Sequence, residues 1–165
     1  VREKSTVLSD DEKREIEAAV ADSHDPRSAC IEALRIVQAH RRWVSDEAIA
    51  DVAAMLGMTR DELDNVASFY SLIFRKPVGE KVIKVCDSVV CWALGSQSLI
   101  EYLEQRLGIK AGETTPDGRF TLIPICCVGD CDHAPVLMIN DTTIEDVTPE
   151  ILDRIIAGEE VAGRR

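Results

Sequence analysis

Apolar residues recur at helical spacing up to about residue 75 of the chain, and beyond that point they begin to alternate. The first stretch predicts four short helices. Ser9 and Glu12 have the spacing of a capping box, in which hydroxyl and carboxylate satisfy orphan backbone donors at a helix start. Asp25 followed by Pro26 supplies an N-cap and a first-turn proline, ahead of a stripe made by Cys30, Ala33, Leu34 and Val37. Ser45 caps a third segment carrying Ile49, Val52, Ala53 and Leu56, with Gly57 placed to end it in the left-handed conformation. A second capping box, Thr59 to Glu62, leads into Leu63, Val66, Phe69, Tyr70 and Ile73. Joined by tight turns, these segments make a small bundle. Phe69 and Tyr70, like Trp43, read as core or interface packing.

The run PVG at 77–79 marks a boundary, so the expected domains are 1–77 and 78–165. KVIKV at 81–85 alternates and is rich in β-branched residues, which predicts a strand. Ser98 and Glu101 read as a third capping box, opening a helix with Leu99, Leu103 and Leu107 on one face and Gly108 at its end. Residues 120–125 and 136–139 predict two more strands, 142–144 a short edge strand, and Thr148 with Pro149 the start of a last helix. The order β-α-β-β-α predicts helices packed on a mixed sheet. The fold class is therefore α+β: a helical bundle, then a small α/β domain. Residues 158–165 are expected to fray.

Composition narrows the function. A net charge of −11 offers no basic footprint for nucleic acid, and 45% hydrophobic with 30% charged residues is a globular balance. No apolar run approaches the length of a membrane span, so no direct membrane insertion is expected. The segment at 1–17 has no apolar block behind its basic residues, so no signal peptide is expected. A reducing, cytosolic or matrix-like compartment is the working expectation. There, clustered cysteines bind metal or do redox chemistry more often than they form structural disulfides.

Six cysteines change the picture most. Cys86 and Cys91 form C-x4-C at the end of the first strand, and Cys127 and Cys131 form C-x3-C after the second. If those strands are neighbours, the loops that follow them share one rim and four thiolates converge on one centre. Tetrahedral thiolate sites suit zinc or iron–sulfur clusters. The short C-x2-C knuckle favoured by structural zinc is absent, and longer spacings around a glycine such as Gly129 suit a wider binuclear cluster. On spacing alone zinc stays open, as does a thiol–disulfide enzyme.

The stretch VCDSVVCWALGSQSLIEYLEQRLGIKAGETTPDGRFTLIPICCVGDCDHAPVLMIND resembles the thioredoxin-like [2Fe-2S] ferredoxins. Within them it is most similar to the peripheral-arm subunit of respiratory complex I that pairs with the flavin-bearing, NADH-binding subunit. The upstream stretch RRWVSDEAIADVAAMLGMTRDELDNVASFYSLIFRKPVGEKVIKVC is similar to the same family's helical N-terminal domain. The resemblance implies a thioredoxin-like α/β domain and one [2Fe-2S] cluster held by Cys86, Cys91, Cys127 and Cys131. It implies a non-catalytic electron carrier in an NADH:quinone oxidoreductase, with FMN and NADH on the partner subunit and further iron–sulfur subunits beyond. It also implies a location on the cytoplasmic or matrix side, peripheral to an energy-transducing membrane. Diaphorase modules of NAD-linked hydrogenases and formate dehydrogenases share the likeness. No G-x-G-x-x-G follows a strand, so NADH oxidation by this chain alone is not expected.

Around these ligands the expectations are plainer. Cys30 is a small core residue, and Cys126 a strand residue beside the ligand Cys127. His133 is a solvent-facing loop residue, and Trp92 a shield for the cluster. Asp87, Asp130 and Asp132 are solvated loop carboxylates whose charge lowers the reduction potential. Pro135 is a candidate for a cis peptide.

Overall fold

The computed structural model describes residues 7–164. The first six residues of the segment read for a signal peptide, and Arg165 of the terminal segment, lie outside the described residues. The chain divides into two compact units between Pro77 and Val78.

The first unit is built from α1 (Asp10–Ala21), α2 (Cys30–Arg41), α3 (Asp46–Leu56) and α4 (Arg60–Phe69). Both capping boxes form, with Ser9 and Thr59 accepting from the amides of Glu12 and Glu62. Ser45 caps α3, and Gly57 ends it at φ 65°. Asp25 and Pro26 start a 3-10 turn, Pro26–Ala29, that runs into α2. Ile16, Leu34, Ile49, Leu56 and Leu63 fill the core, and Cys30 packs against it half-buried. Phe69 and Tyr70 are not core. The helix stops at Phe69, which is 82% exposed, and Tyr70 turns to an extended conformation. Helical spacing thus continues past the point where the helix ends.

One ion pair is sunk into this unit. The Glu12 side chain is 2% exposed, and Arg41 grips it with Nε to Oε1 at 2.5 Å and a second nitrogen to Oε2 at 2.6 Å. Burial pushes the Glu12 carboxyl up, but hydrogen bonds from Arg41 and Ser9 outweigh it and hold the group at about 2 instead of 4.5.

The second unit is a four-stranded sheet in the order β2-β1-β3-β4, formed by β1 (Lys81–Cys86), β2 (Phe120–Ile125), β3 (Leu137–Ile139) and β4 (Thr142–Ile144). β1 and β2 are parallel, whereas β3 and β4 join antiparallel, so the sheet is mixed. Ile83, Val85, Leu122, Leu137 and Ile144 pack one face against Leu99, Ile100 and Leu103 of α6 (Ser96–Leu107) and Leu152 and Ile155 of α7 (Pro149–Ala157). The expected α+β class and mixed sheet are both present. Two details differ from the sequence reading. A short helix, α5 (Val89–Ala93), precedes α6, and α6 begins at Ser96 after Gly95 at φ 96°. Ser98 therefore lies inside the helix and forms no capping box. The terminal segment is also not loose: Arg164 pairs with Thr143 on the β4 edge. Among the described residues no helix is long and apolar enough to cross a membrane.

Glu12→Gln leaves Arg41 facing a neutral partner, and removing one member of a buried pair costs roughly 3 kcal/mol. Because the folded-state carboxyl lies below its ordinary value, its contribution is complete above about pH 4.5 and fades as the pH falls toward 2. Denaturant melts across that range should show the wild-type advantage shrinking with acid, and no such slope from this site in Glu12→Gln.

Candidate metal centre

The parallel register sets Cys86 opposite Ile125, so the segments leaving β1 and β2 start from the same rim. Pairing continues beyond the strand ends: Asp87 N–H donates to Ile125 O at 3.0 Å, and Cys86 N–H to Val136 O at 3.2 Å. The β1 side supplies Cys86 at the strand end and Cys91 within α5. The β2 side supplies Cys127 and Cys131 in the loop that returns to β3. Thirty-five intervening residues between Cys91 and Cys127 are thereby spanned by one strand pairing.

The four thiols differ in setting. Cys86 and Cys91 are buried with Val136, against Val128 and Ala134. Cys127 and Cys131 are exposed, with sulfurs 3.3 Å apart. The Cys86 side chain lies close enough to interact with both Cys91 and Cys127, which links the buried pair to the open one. Gly129, at φ 93°, turns its N–H to Cys127 Sγ at 3.4 Å. That conformation is strained for a residue with a Cβ, which accounts for glycine here.

Proton affinity follows setting. Burial pushes the Cys91 thiol up to about 11, and the Cys86 thiol beside it adds to the rise. The Gly129 N–H, followed by the Cys131 side chain, brings Cys127 below its usual range, and the same Cys127–Cys131 contact raises Cys131.

Does this donor set fit one ion or a wider core? A single tetrahedral zinc with bonds of about 2.3 Å holds its sulfurs at roughly 3.8 Å from each other. Among the described residues, the one group of three Cys, His or carboxylate donors gathered within 4.8 Å is Asp130, Asp132 and His133, not the cysteines. The thiols come as two pairs on one rim, linked through Cys86. All four are soft donors, and a binuclear core takes them two by two.

Three expectations about the surroundings need correction. Cys126 is not a strand residue: β2 ends at Ile125, and Cys126 sits exposed in the bend that follows. Asp130 is not solvated. It is buried, with Oδ1 3.1 Å from His133 Nδ1 and 3.0 Å from an Arg164 nitrogen, and its carboxyl is held below the usual range by His133 first and Arg164 next. His133 is accordingly half-buried in a 3-10 turn, Cys131–His133, and its imidazole is raised chiefly by the hydrogen bond to Asp130. Asp87 and Asp132 do face water. Trp92 is 62% exposed, and with Val89, Val90 and Leu94 it forms an exposed apolar collar in the segment that carries Cys91. The Ala134–Pro135 peptide is cis. Arg164 carries no sequence signal of its place here, because it lies 34 positions from the aspartate it meets.

A family model for the thioredoxin-like [2Fe-2S] ferredoxins matches residues 16–160. The chain belongs to that family. Its relatives include an NADH-quinone oxidoreductase subunit of Pseudomonas aeruginosa, 49% identical over 150 residues that cover 91% of this chain and 90% of the relative. The protein of the same name from Escherichia coli K12 is 49% identical over 149 residues, covering 90% of each chain. Among solved structures, a chain of an NAD+-reducing [NiFe]-hydrogenase in its H2-reduced state superposes with a TM-score of 0.66 at 26% identity over 75% of this chain. The match spans 21% of that longer hydrogenase chain. The thioredoxin-like expectation for the second unit is met by the family match.

Proposed function

We propose that this chain is an electron-carrier subunit of an NADH:quinone oxidoreductase, holding one [2Fe-2S] cluster on Cys86, Cys91, Cys127 and Cys131 beside a flavin-bearing, NADH-binding partner subunit. The observation that carries this reading is the meeting of two soft thiol pairs, Cys86 with Cys91 and Cys127 with Cys131, on one rim of a parallel strand pair. When bound, such a cluster accepts and releases one electron at a time without transfer of atoms. The hydride chemistry belongs to the partner: NADH gives two electrons to flavin there, and this chain receives one of them.

The residues of the chain divide the remaining work. Four thiolates hold the core, and the buried pair with Val136 keeps water from one side. The Gly129 N–H directed at Cys127 sulfur stabilises the added negative charge, since hydrogen bonds to ligand sulfur tune potential. The exposed pair leaves the other side open for electron exchange. The collar of Val89, Val90, Trp92 and Leu94, in a run from 88 to 98 that carries no charged residue, suits burial against a partner subunit. Attachment through such contacts would place the chain peripheral to an energy-transducing membrane, within an assembly that also contains further iron–sulfur subunits.

A second reading, the diaphorase part of an NAD-linked hydrogenase, is favoured by the hydrogenase superposition. The identity of 49% to the quinone-reductase relatives, against 26% to the hydrogenase, weighs for the first.

Cys127→Ser should lose the cluster or release it rapidly, whereas Cys126→Ser should keep the visible and electron paramagnetic resonance spectra of the parent. The reverse pattern would exchange the ligand assignment. NADH added to the holo chain alone should leave it oxidised, and reduction should begin only when the flavin-bearing partner is supplied. Direct reduction by NADH without flavin would contradict the carrier role.

A further inference from the structure

A buried carboxylate inside the ligand loop is held from the far end of the chain. Asp130 lies between Cys127 and Cys131, with its side chain 9% exposed, and its Oδ2 is buried without a partner. All of its pairing therefore falls on Oδ1, which meets His133 from within the loop and Arg164 from outside it. A carboxylate withdrawn from water depends heavily on such partners. The same Arg164 nitrogen also reaches Glu145 at 3.3 Å.

The seat of Arg164 is built into the sheet. Its N–H and C=O exchange hydrogen bonds with Thr143 at 2.9 and 2.8 Å, which extends the sheet beyond β4. Gly163 lies so close to that strand that a Cβ would stand 2.5 Å from Thr142 Cγ2 and 2.7 Å from Ile144 Cδ1. Val161 packs on the apolar core of the unit. On the other side of the loop, Asp146 N–H donates to His133 O and Val147 N–H to Pro135 O, both at 2.9 Å. The ligand loop is thus fastened by backbone bonds at residues 133–135, while the Asp130 side chain ties residues 127–131 to the tail.

We infer that Arg164 is a positioning residue for the cluster loop: the C-terminal tail is a strap that fixes the Cys127–Cys131 segment through Asp130 and offsets the aspartate's charge beside the cluster. This rests on the assignment of Cys127 and Cys131 as ligands. The guanidinium itself is 63% exposed, and an ion pair between two such exposed groups would contribute little. Burial of the aspartate and the backbone seat of the tail are what distinguish this pair. The charge has a sign consequence. An electron entering an anionic cluster is disfavoured by an uncompensated carboxylate, so loss of Arg164 lowers the reduction potential and loss of Asp130 raises it.

The test uses the full-length holo chain with Arg164→Gln, Arg164→Lys, Asp130→Asn, Gly163→Val and the double variant Arg164→Gln/Asp130→Asn. Arg164→Gln should lose iron to a chelator several-fold faster and titrate at a more negative potential. Arg164→Lys should restore most of the potential, a recovery that a purely steric role would not give. Gly163→Val, which lifts the strap without changing charge, should reproduce the faster iron loss. In the Asp130→Asn background, Arg164→Gln should add little to the rate of iron loss. Unchanged potential and chelator rate in Arg164→Gln, or an equal effect on the chelator rate with and without Asp130, would overturn the strap while leaving the cluster assignment intact. A wild-type chain that holds no iron and sulfide would overturn the assignment instead. The strap is then read in the metal-free chain, where Arg164→Gln should speed hydrogen exchange at residues 127–133, and equal exchange would refute it.

Discussion

Parallel pairing of β1 with β2 is the constraint on which the site depends. Two parallel strands cannot be joined by a tight turn, so the chain must cross back over the sheet before the second strand begins. Here the crossover contains α5 and α6, and α6 is packed down by Leu99, Ile100 and Leu103. Its consequence is that both strands end on the same side. Cys86 opposite Ile125 places two cysteine-bearing segments at one rim although they are distant in sequence. A register slip of one residue would exchange the faces of every side chain on β2 and carry the second thiol pair away from the first. The apolar core between sheet and helices therefore determines where the four thiols meet, even though none of its side chains lies among them.

Around that rim the protein separates a dry side from a wet one. Cys86, Cys91 and Val136 lie within the fold, while Cys127 and Cys131 open to the surface. Exchanging electrons without exchanging atoms needs such asymmetry: one side rigid and screened from water, the other near enough to a partner for transfer. The acidic character of the chain, at −11 overall, does not act uniformly at the rim. Asp87 and Asp132 are solvated, but Asp130 is compensated by His133 and Arg164. A count of nearby carboxylates therefore overstates the negative potential that the cluster experiences.

The parts legible in the sequence are those governed by local rules. Ser9 with Glu12 and Thr59 with Glu62 carry their own hydrogen-bond partners within four residues, and the helix starts they mark are present. Alternating β-branched residues placed the strands. The four clustered thiols were legible by type and spacing, although their convergence depended on a strand adjacency that spacing alone does not dictate. Local rules also misled. Ser98 and Glu101 have the right spacing for a helix start, but Gly95 at φ 96° and the buried Ser96 begin the helix earlier. Phe69 and Tyr70 prolong a helical period that the backbone abandons. Five residues of α5 are too few for periodicity to show, and burial of Cys91 locates that turn. The contact between Asp130 and Arg164 is wholly non-local, and no pattern in either segment announces it.

The central claim is that two strand-end segments meet so that their sulfurs enclose one binuclear core. Chemical analysis of the purified holo chain for iron, acid-labile sulfide and zinc, read with its visible spectrum, tests this most directly. The account predicts iron and sulfide in equal amounts, two of each per chain, with broad visible absorption and negligible zinc. A colourless chain carrying one zinc and no sulfide would contradict it.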